Sequence, residues 1–379
     1  MPTEGSALVA HNFEQESQEN ELSSGCYGLG SVSSSFSEES SVCGPVPSSS
    51  VTTISEPVAK DCLTIWPSKE TQSQWPARRT RVVNSPYEYI ATMPSKGVRE
   101  KLIDALNIWF DCPEETVSTI KSVISMLHNS SLILDDFQDN SPLRRSKPST
   151  HTVFGPAQSI NSAAYIIIRA MSKIQSFSEP SCVIKATNMI LTLFEGQAVD
   201  LSWTFNETCP SMQDYILMVD DKTGTLFKLA GYLLATHARV DWSEGTITAI
   251  DALLSLFGQY FQIRDDYQNL VSTEYTSQKG FCEDLDEGKY SITLIHALQN
   301  DSGGLLLRNM ISTRRVQGKL TIQQKALMLD RIRSCGSLEW TVSLLSDIHQ
   351  RAIADIGLLE KDIGRVNYEL RSLVEMLQR

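Results

Sequence analysis

Three aspartates at the end of a long apolar stretch are the first residues of the sequence that could do chemistry: Asp135, Asp136 and Asp139. The apolar residues before them recur at three- and four-residue steps: Val117, Ile120, Ile124, Leu127 and Leu134. That spacing predicts a helix with one buried face, and it puts Asp135 and Asp139 one turn apart on the same side. Like charges at this spacing destabilise a helix unless a cation lies between them, and all-oxygen ligands favour Mg²⁺. Taken alone, the stretch is also explained by a solvated helix end with a charged turn.

A second aspartate pair, Asp265 and Asp266, also follows a long apolar stretch. Asn269 lies four residues after Asp265 and adds another oxygen ligand, while Gln262 lies three residues before it. Two such motifs predict two helices that face each other across a cavity, with metal ions bound between them. Buried ionisable groups are unfavourable unless they are paired or bind a metal, so a purely structural role would carry that penalty twice.

Basic and hydroxyl side chains near the predicted helix ends form a candidate anion-binding set: Lys96, Arg99, His128, Arg144, Arg145, Lys222, Thr223, Lys279 and Lys289. Lys96 and Arg99 flank a glycine turn before a helix, whose N-terminus attracts anions. Lys279 and Lys289 belong to a loop that could fold over a phosphate site as a lid. Each of these residues alone is explained as readily by a solvated turn, and His128 by an ordinary rim position.

Composition and charge narrow the class of protein. The 379 residues are 41% hydrophobic and 21% charged, which are globular values. A net charge of −12 argues against nucleic-acid binding and makes any local basic cluster attractive to anions. The eight cysteines contain no C-x-x-C pair, which argues against a zinc or redox motif and fits a reducing compartment.

The ends and the segmentation of the chain predict its domain organisation. The N-terminus is acidic without an apolar run, and no stretch reaches the length of a transmembrane helix, so we expect a cytoplasmic protein with no integral membrane segment. Residues 1–80 are Ser-rich and polar and are predicted to be a disordered extension. Turn signals separate segments of helical length over residues 85–379, which predicts an all-α domain.

Six stretches of that domain resemble trans-isoprenyl diphosphate synthases, and fungal geranylgeranyl diphosphate synthases in particular: HNSSLILDDFQDNSPLRR, GPAQSINSAAY, EGQAVDLSW, DKTGTLFKLA, YFQIRDDYQNL and KGFCEDLDEGKYS. The stretch PYEYIATMPSKGVREKLIDALNIWF is similar to versions found in fungal diterpenoid pathways and in bifunctional terpene synthases. The resemblance implies the isoprenoid synthase fold, a single large helical bundle around a central cavity. It also implies a homodimer that uses about three Mg²⁺ ions per site.

The resemblance further implies a reaction and a role for each motif residue. Isopentenyl diphosphate would condense head to tail with dimethylallyl, geranyl or farnesyl diphosphate to give geranylgeranyl diphosphate for diterpenoid biosynthesis. The implied metal ligands are Asp135, Asp136, Asp139 and Asp265, with Asp266 and Lys222 as further catalytic residues. The implied allylic diphosphate contacts are Arg144, Lys222, Thr223, Gln262, Lys279 and Lys289, with Asn269 where many relatives carry Asp. The implied isopentenyl diphosphate contacts are Lys96, Arg99, His128 and Arg145.

Small residues before the first motif bear on product length. Ser131 and Ser130 stand four and five residues before Asp135, where enzymes that stop at farnesyl usually carry aromatics. We therefore expect a channel open past fifteen carbons and a geranylgeranyl product. Ile167 and Ile168 stand where relatives often place aromatics that close the pocket, and Phe194 could form part of its floor, so a longer product stays open.

Other functions compete with a synthase. A class I terpene cyclase would use similar aspartates, but the second basic set would have no purpose in it. A non-catalytic partner subunit should carry decayed aspartates, and a helical scaffold would not need both motifs. A synthase with a shorter or longer product is the remaining alternative.

Overall fold

The computed structural model describes residues 66–273, 276, 280–301 and 305–378, and this part of the chain is almost entirely helical. In chain order the helices are α1 Lys69–Ala91, α2 Val98–Phe110, α3 Glu114–Gln138, α4 Thr150–Phe154, α5 Pro156–Phe177, α6 Pro180–Asn206, α7 Met212–Val219, α8 Thr225–Thr236, α9 Glu244–Val271, α10 Glu283–Glu287, α11 Ile292–Asn300, α12 Leu305–Gln317, α13 Ile322–Ser334, α14 Ser337–Ile363 and α15 Tyr368–Gln378. A π-helical turn, Asp220–Gly224, joins α7 to α8. After α3, a two-residue hairpin pairs β1 (Leu143–Arg144) with β2 (Lys147–Pro148) in antiparallel register. The all-α prediction is confirmed.

The two helices that carry the aspartate motifs belong to one hydrophobic core. The predicted apolar face of α3 is buried at Val117, Ile120, Ile124 and Leu127, and α3 packs mainly against α5. α9 buries Leu253, Leu254, Leu256 and Phe257 and packs mainly against α14. Each such side chain contributes about 1.5–3 kcal/mol when it is fully buried, so this packing fixes the direction of both helices.

Glycines allow α6 and α9 to approach the π-helical turn closely. A Cβ atom on Gly196 of α6 would lie 2.5 Å from the backbone nitrogen of Lys222. A Cβ atom on Gly258 of α9 would clash with the backbone of Gly224. These contacts place Lys222 and Thr223 between the two helices, where side chains from both can reach them.

The helical region starts earlier than the sequence predicted. Residues 69–80, which were assigned to the disordered extension, form the first half of α1. Ser68 caps this helix because its hydroxyl accepts the N–H of Thr71 at 3.1 Å. The apolar side chains in this first half are exposed, as at Trp75, so no buried stripe marked it in the sequence. The rest of the predicted extension, residues 1–65, lies outside the described residues.

Among the described helices, none combines the length and the apolar character that crossing a bilayer requires.

Candidate active site

The first aspartate motif lies at the C-terminal end of α3, where arginine and lysine side chains surround it. Asp136 is fully buried and accepts a hydrogen bond from Arg144 Nε at 2.7 Å. Asp135 lies between two cations, with Oδ2 3.5 Å from Arg144 Nη2 and Oδ1 3.6 Å from Lys222 Nζ. Burial lowers the pKa of Arg144, but Asp136 and Asp135 outweigh it and raise that pKa above its usual range. Arg144 therefore carries its charge permanently at this motif.

Asp139 is the last aspartate of the first motif, and it contacts a lysine that follows the second motif in the sequence. Lys289 Nζ lies 2.6 Å from Asp139 Oδ2 and 2.8 Å from Glu287 Oε2. Burial raises the pKa of Asp139 to about 7, and although Lys289 opposes this, Asp135 and Glu287 add to it. Burial thus disfavours the ionised form of Asp139, and a further cation nearby would stabilise that form.

Lys222 is held by the π-helical turn at the same group of carboxylates. Its ammonium nitrogen lies 2.6 Å from Asp200 Oδ2 on α6. Burial lowers the pKa of Lys222, but Asp200 and then Asp135 raise it above its usual range. Three cations from separate segments, Arg144, Lys222 and Lys289, therefore converge on the first motif.

The second motif is anchored by neutral donors instead. The hydroxyl of Tyr215 donates to Asp266 Oδ2 at 2.6 Å, and Gln262 Nε2 donates to Asp266 Oδ1 at 2.8 Å. Thr223 extends this series of hydrogen bonds, since its hydroxyl donates to Gln262 Oε1 at 3.0 Å. Burial raises the pKa of Asp266 to about 6, the two donors lower it, and Asp265 raises it again.

Asp265 and Asn269 occupy different surroundings on α9. Asp265 is half-buried, and its charge partly opposes the lowering of the Arg99 pKa that burial and Arg145 cause. Asn269 is buried, and its Oδ1 accepts the backbone N–H of Asp284 at 3.3 Å. The amide oxygen of Asn269 thus holds the start of α10 within the protein.

A separate basic cluster, called the cation cluster below, combines two cations, Arg99 and Arg145, with the imidazole of His128. Arg99 Nη1 is 3.0 Å from His128 Nε2, and the guanidinium stacks over Phe227 at 5.3 Å and Phe261 at 5.7 Å. Because a guanidinium only donates, His128 Nε2 is the acceptor and the ring is neutral with its proton on Nδ1. Arg145 Nη1 donates to the carbonyl of Met93 at 3.3 Å.

Burial and neighbouring positive charges lower the pKa values throughout this cation cluster. Burial and then Arg145 lower the pKa of Arg99 to about 10. Burial and then Arg99 lower the pKa of His128 well below its usual value. Burial and then Arg144 lower the pKa of Arg145. An anion bound among these groups would oppose that lowering, so the cluster is suited to a diphosphate.

Residues 80–327 match the family model described as polyprenyl synthetase. The chain belongs to the polyprenyl synthetase family. Geranylgeranyl pyrophosphate synthase 2 of Gibberella fujikuroi is 55% identical to this polyprenyl synthetase over 321 residues, which cover 85% of the chain and 81% of that protein.

Two further relatives are longer than this polyprenyl synthetase. Fusicoccadiene synthase of Phomopsis amygdali is 49% identical over 298 residues, and ophiobolin F synthase oblA of Cochliobolus heterostrophus is 44% identical over 310 residues. The matches cover 78% and 80% of the chain but 41% and 43% of those two proteins. Family membership confirms the prediction of a prenyltransferase of isoprenoid biosynthesis, an enzyme that condenses prenyl diphosphates. Polyprenyl synthetases generally use Mg²⁺.

The donor set of this polyprenyl synthetase fits Mg²⁺ on chemical grounds. Among residues 66–273, 280–301 and 305–378, no three His, Cys or acidic side chains converge as they stand into a complete metal site. Mg²⁺, however, is usually held by one or two carboxylates together with substrate phosphates. Asp135, Asp139 and Asp265 offer such carboxylates, and the raised pKa of Asp139 indicates a site that favours an added cation.

The remaining predicted residues lie in several places. Lys96 is exposed in the segment between α1 and α2, and Lys279 lies outside the described residues. The chain-length candidates divide between buried and exposed positions. Ser130 is fully buried and Ile167 half-buried, whereas Ser131, Ile168 and Phe194 are exposed, the last two by 66% and 46%. Their roles stay predictions.

Sequence analysis did not assign several side chains that complete the site. Asp200 pairs with Lys222, and Gln197 Nε2 lies 3.4 Å from Asp135 Oδ1. Their polar character within the apolar pattern of EGQAVDLSW was the available signal. Glu287 accepts from the hydroxyl of Ser141 at 2.6 Å. Tyr215 gave no signal at all, because a buried tyrosine in an apolar helix is ordinary.

Proposed function

We propose that this polyprenyl synthetase makes geranylgeranyl diphosphate from isopentenyl diphosphate and the allylic dimethylallyl, geranyl and farnesyl diphosphates. The observation that carries this proposal is the presence of two kinds of anion site next to each other. One combines the carboxylates of the first motif with Arg144, Lys222 and Lys289. The other is the cation cluster of Arg99, His128 and Arg145. A terpene cyclase that ionises one diphosphate would have no use for the second site.

The two sites divide the substrates. In the proposal, Asp135, Asp136, Asp139 and Asp265 would hold about three Mg²⁺ ions, which would stabilise charge on the allylic diphosphate. Asp136 keeps Arg144 in position, and Asp266 fixes Gln262. The residues that bind the allylic diphosphate are Arg144, Lys222, Thr223, Gln262, Lys279 and Lys289, with Asn269 in support. The residues that bind isopentenyl diphosphate are Lys96, Arg99, His128 and Arg145.

The protein's part in the reaction follows from its charges. The bond between C1 of the allylic group and the diphosphate oxygen breaks, and the electron pair leaves with the diphosphate. Arg144, Lys222 and Lys289 stabilise that developing charge. The double bond of isopentenyl diphosphate, held by the cation cluster, attacks C1, and a proton is lost to the departing diphosphate. In this proposal the neutral His128 donates a hydrogen bond from Nδ1 to isopentenyl diphosphate. It neither gains nor loses a proton during the reaction.

Product length in the proposal depends on the small side chains before the first motif. Ser130 and Ser131 leave room below Asp135 for a chain of twenty carbons, and Ile167, Ile168 and Phe194 limit it further down. A floor deeper than these residues would give a longer product by the same chemistry. The geranylgeranyl product would then supply diterpenoid biosynthesis, as the resemblance of residues 86–110 implies.

We also propose a homodimer in the cytoplasm. Apart from the product-length candidates, exposed apolar side chains recur along α5 and α6: Ile160, Tyr165, Ile184, Leu191 and Val199. Apolar surface of this extent commonly marks a protein interface, so it supports self-association. The described cysteines, Cys112, Cys182, Cys209, Cys282 and Cys335, are free thiols, which supports a reducing compartment. Light scattering of the purified protein would give the mass of the assembly.

A product assay tests the proposed function. The purified protein is incubated with Mg²⁺, isopentenyl diphosphate and each allylic diphosphate separately, and the dephosphorylated alcohols are identified by mass. Geranylgeraniol from every starter, lost in Asp135→Ala, is the expected result. A cyclic hydrocarbon formed from geranylgeranyl diphosphate without incorporation of isopentenyl diphosphate would overturn the proposal.

A further inference from the structure

Helix α10 ends at Glu287, two residues before Lys289, and both of these side chains face Asp139, yet the helix is only five residues long, Glu283–Glu287. A helix this short is unstable alone, and its last carbonyls have no partner within the helix. Its end is defined by Gly288, which has a left-handed φ of 77° and donates its N–H to the carbonyl of Asp284 at 2.9 Å. The position of Lys289, the next residue, therefore depends on whatever holds this helix from outside.

Arg314 of α12 holds the C-terminal end of α10. Its Nε donates to the carbonyl of Asp286 at 2.7 Å, and its Nη2 donates to the carbonyl of Glu287. The guanidinium also packs flat against Gly288, where an added Cβ would lie 2.6 Å from Nη1. A planar fork that satisfies two adjacent carbonyls is a property of arginine, and a lysine could not reproduce it.

A buried ion pair holds α10 from the same direction. Lys325 Nζ of α13 lies 2.7 Å from Asp286 Oδ2, and both side chains are almost completely buried. The backbone N–H of Leu320 donates to Asp286 Oδ1 at 2.9 Å. α10 is thus attached to α12 and α13 on one side and presents Glu287 and Lys289 to Asp139 on the other.

We propose that Arg314 is a positioning residue, which sets the place of Lys289 for the allylic diphosphate by capping α10. This inference rests on the proposed function. Arg314 acts on Lys289 through the backbone of Asp286, Glu287 and Gly288. It therefore affects the allylic diphosphate and leaves the isopentenyl diphosphate site, built by Arg99, His128 and Arg145, unchanged.

The test compares Arg314→Lys with its neighbour Arg315→Lys as a matched control. Arg315 is exposed and contacts Glu207 and Phe205, so the same chemical change there leaves α10 intact. We expect R314K to raise KM for the allylic diphosphate about tenfold with KM for isopentenyl diphosphate unchanged, and R315K to change neither. A rise of both KM values, or none in R314K, would overturn the proposal.

A double-mutant cycle separates positioning from a general loss of structure. If Arg314 acts through Lys289, adding R314K to Lys289→Ala should weaken allylic substrate binding no further. Equal effects of R314K with and without Lys289 would contradict the proposal. Should R314K fail to fold, Arg314→Gln replaces it, because the shorter glutamine amide cannot satisfy both carbonyls at the end of α10 and predicts the same rise in allylic KM.

Binding of inorganic pyrophosphate with Mg²⁺, measured by calorimetry, keeps this inference distinct from the proposed function. A wild-type protein that binds pyrophosphate but forms no prenyl product would refute the function alone. Pyrophosphate binding about tenfold weaker in R314K, and unchanged in R315K, would still support the positioning role. Normal product formation with equal pyrophosphate affinity in all three proteins would refute the positioning role alone.

Discussion

At the end of α3, the carboxylates of Asp135, Asp136 and Asp139 are contacted by cations, whereas on α9 Asp266 accepts hydrogen bonds from a phenol and an amide. The cations reach the first motif from β1, from the π-helical turn and from the segment after α10. The neutral donors reach the second motif from α7 and from α9 itself. Two motifs that look alike in sequence are therefore stabilised by different physical means.

The difference indicates different tasks. The cations that contact the carboxylates of the first motif are those proposed to bind the allylic diphosphate. When metal and substrate bind, these cations can therefore leave the carboxylates and contact the phosphate oxygens. The donors of Asp266 are uncharged, and Tyr215 is not among the residues proposed to bind diphosphate, so its hydrogen bond to Asp266 should persist when substrate binds. The cation cluster interacts with both motifs. Burial lowers the pKa of Arg99 and of His128, and this lowering is opposed by Asp265 at Arg99 and by Asp135 at His128.

The largest effect that would sharpen this comparison is expected at the first motif. Asp135→Asn removes a charge that the proposed metal and Lys222 both need, so kcat should fall about 1,000-fold. The exposed Asp347→Asn on α14 is the control and should keep full activity. Steady-state rates with geranyl diphosphate measure both. An Asp135→Asn enzyme that retained a tenth of the wild-type rate would contradict the assigned role.

At the second motif, the loss should be in stability as well as in rate. Tyr215→Phe leaves the buried Asp266 without one donor, so the free energy of unfolding should fall by about 2 kcal/mol and kcat about tenfold. Urea unfolding compares it with Tyr368→Phe, which makes the same change at an exposed position of α15. Equal stability of these two variants would show that the neutral anchor of Asp266 is unimportant.

The register of the two motifs offers a third comparison. Four residues before the first aspartate stand Ser131 in one motif and Phe261 in the other. Ser131→Phe would give both motifs an aromatic at this position, narrow the channel and shift the main product from geranylgeranyl to farnesyl diphosphate. Ser131→Ala, the control, should keep the wild-type product ratio in the alcohol assay. An unchanged product ratio in Ser131→Phe would show that other residues limit the length of the product.

The smallest effect is expected in the cation cluster, as a change in pH dependence. The pKa of His128 is lower in the folded protein than in the unfolded chain, where it is about 6.5. Its contribution to stability is therefore present above pH 6.5 and is lost as pH falls from 6.5 towards the folded pKa, by up to about 1.4 kcal/mol per pH unit.

His128→Gln should flatten that decline, because a neutral amide accepts from Arg99 and does not titrate. Free energies of unfolding at pH 7.5 and pH 5 measure the difference. His151→Gln on α4, outside the cluster, should decline as the wild type does. If His128→Gln lost as much stability on acidification as the wild type, the cluster would not hold a neutral histidine.

Much of the site could be predicted from residue types and local spacing. The apolar period of α3 placed the aspartates at a helix end, and the structure shows that period buried. Arg144, Lys222 and Lys289 were candidates because charged side chains near turns are conspicuous in sequence. The start of α1 was predicted wrongly, because its first turns bury no apolar side chain that a periodicity could report.

The sequence by itself determined which segments are helical, which faces are apolar and which residues carry charge, since these follow from local spacing and side-chain chemistry. Only the tertiary structure decided the partners: Asp200 for Lys222, Tyr215 for Asp266 and Arg314 for the end of α10. A period tells that one face of a helix is buried, but what that face meets depends on how helices cross. In this protein the crossing depends on glycines such as Gly196 and Gly258, whose missing side chains let α6 and α9 close on the π-helical turn.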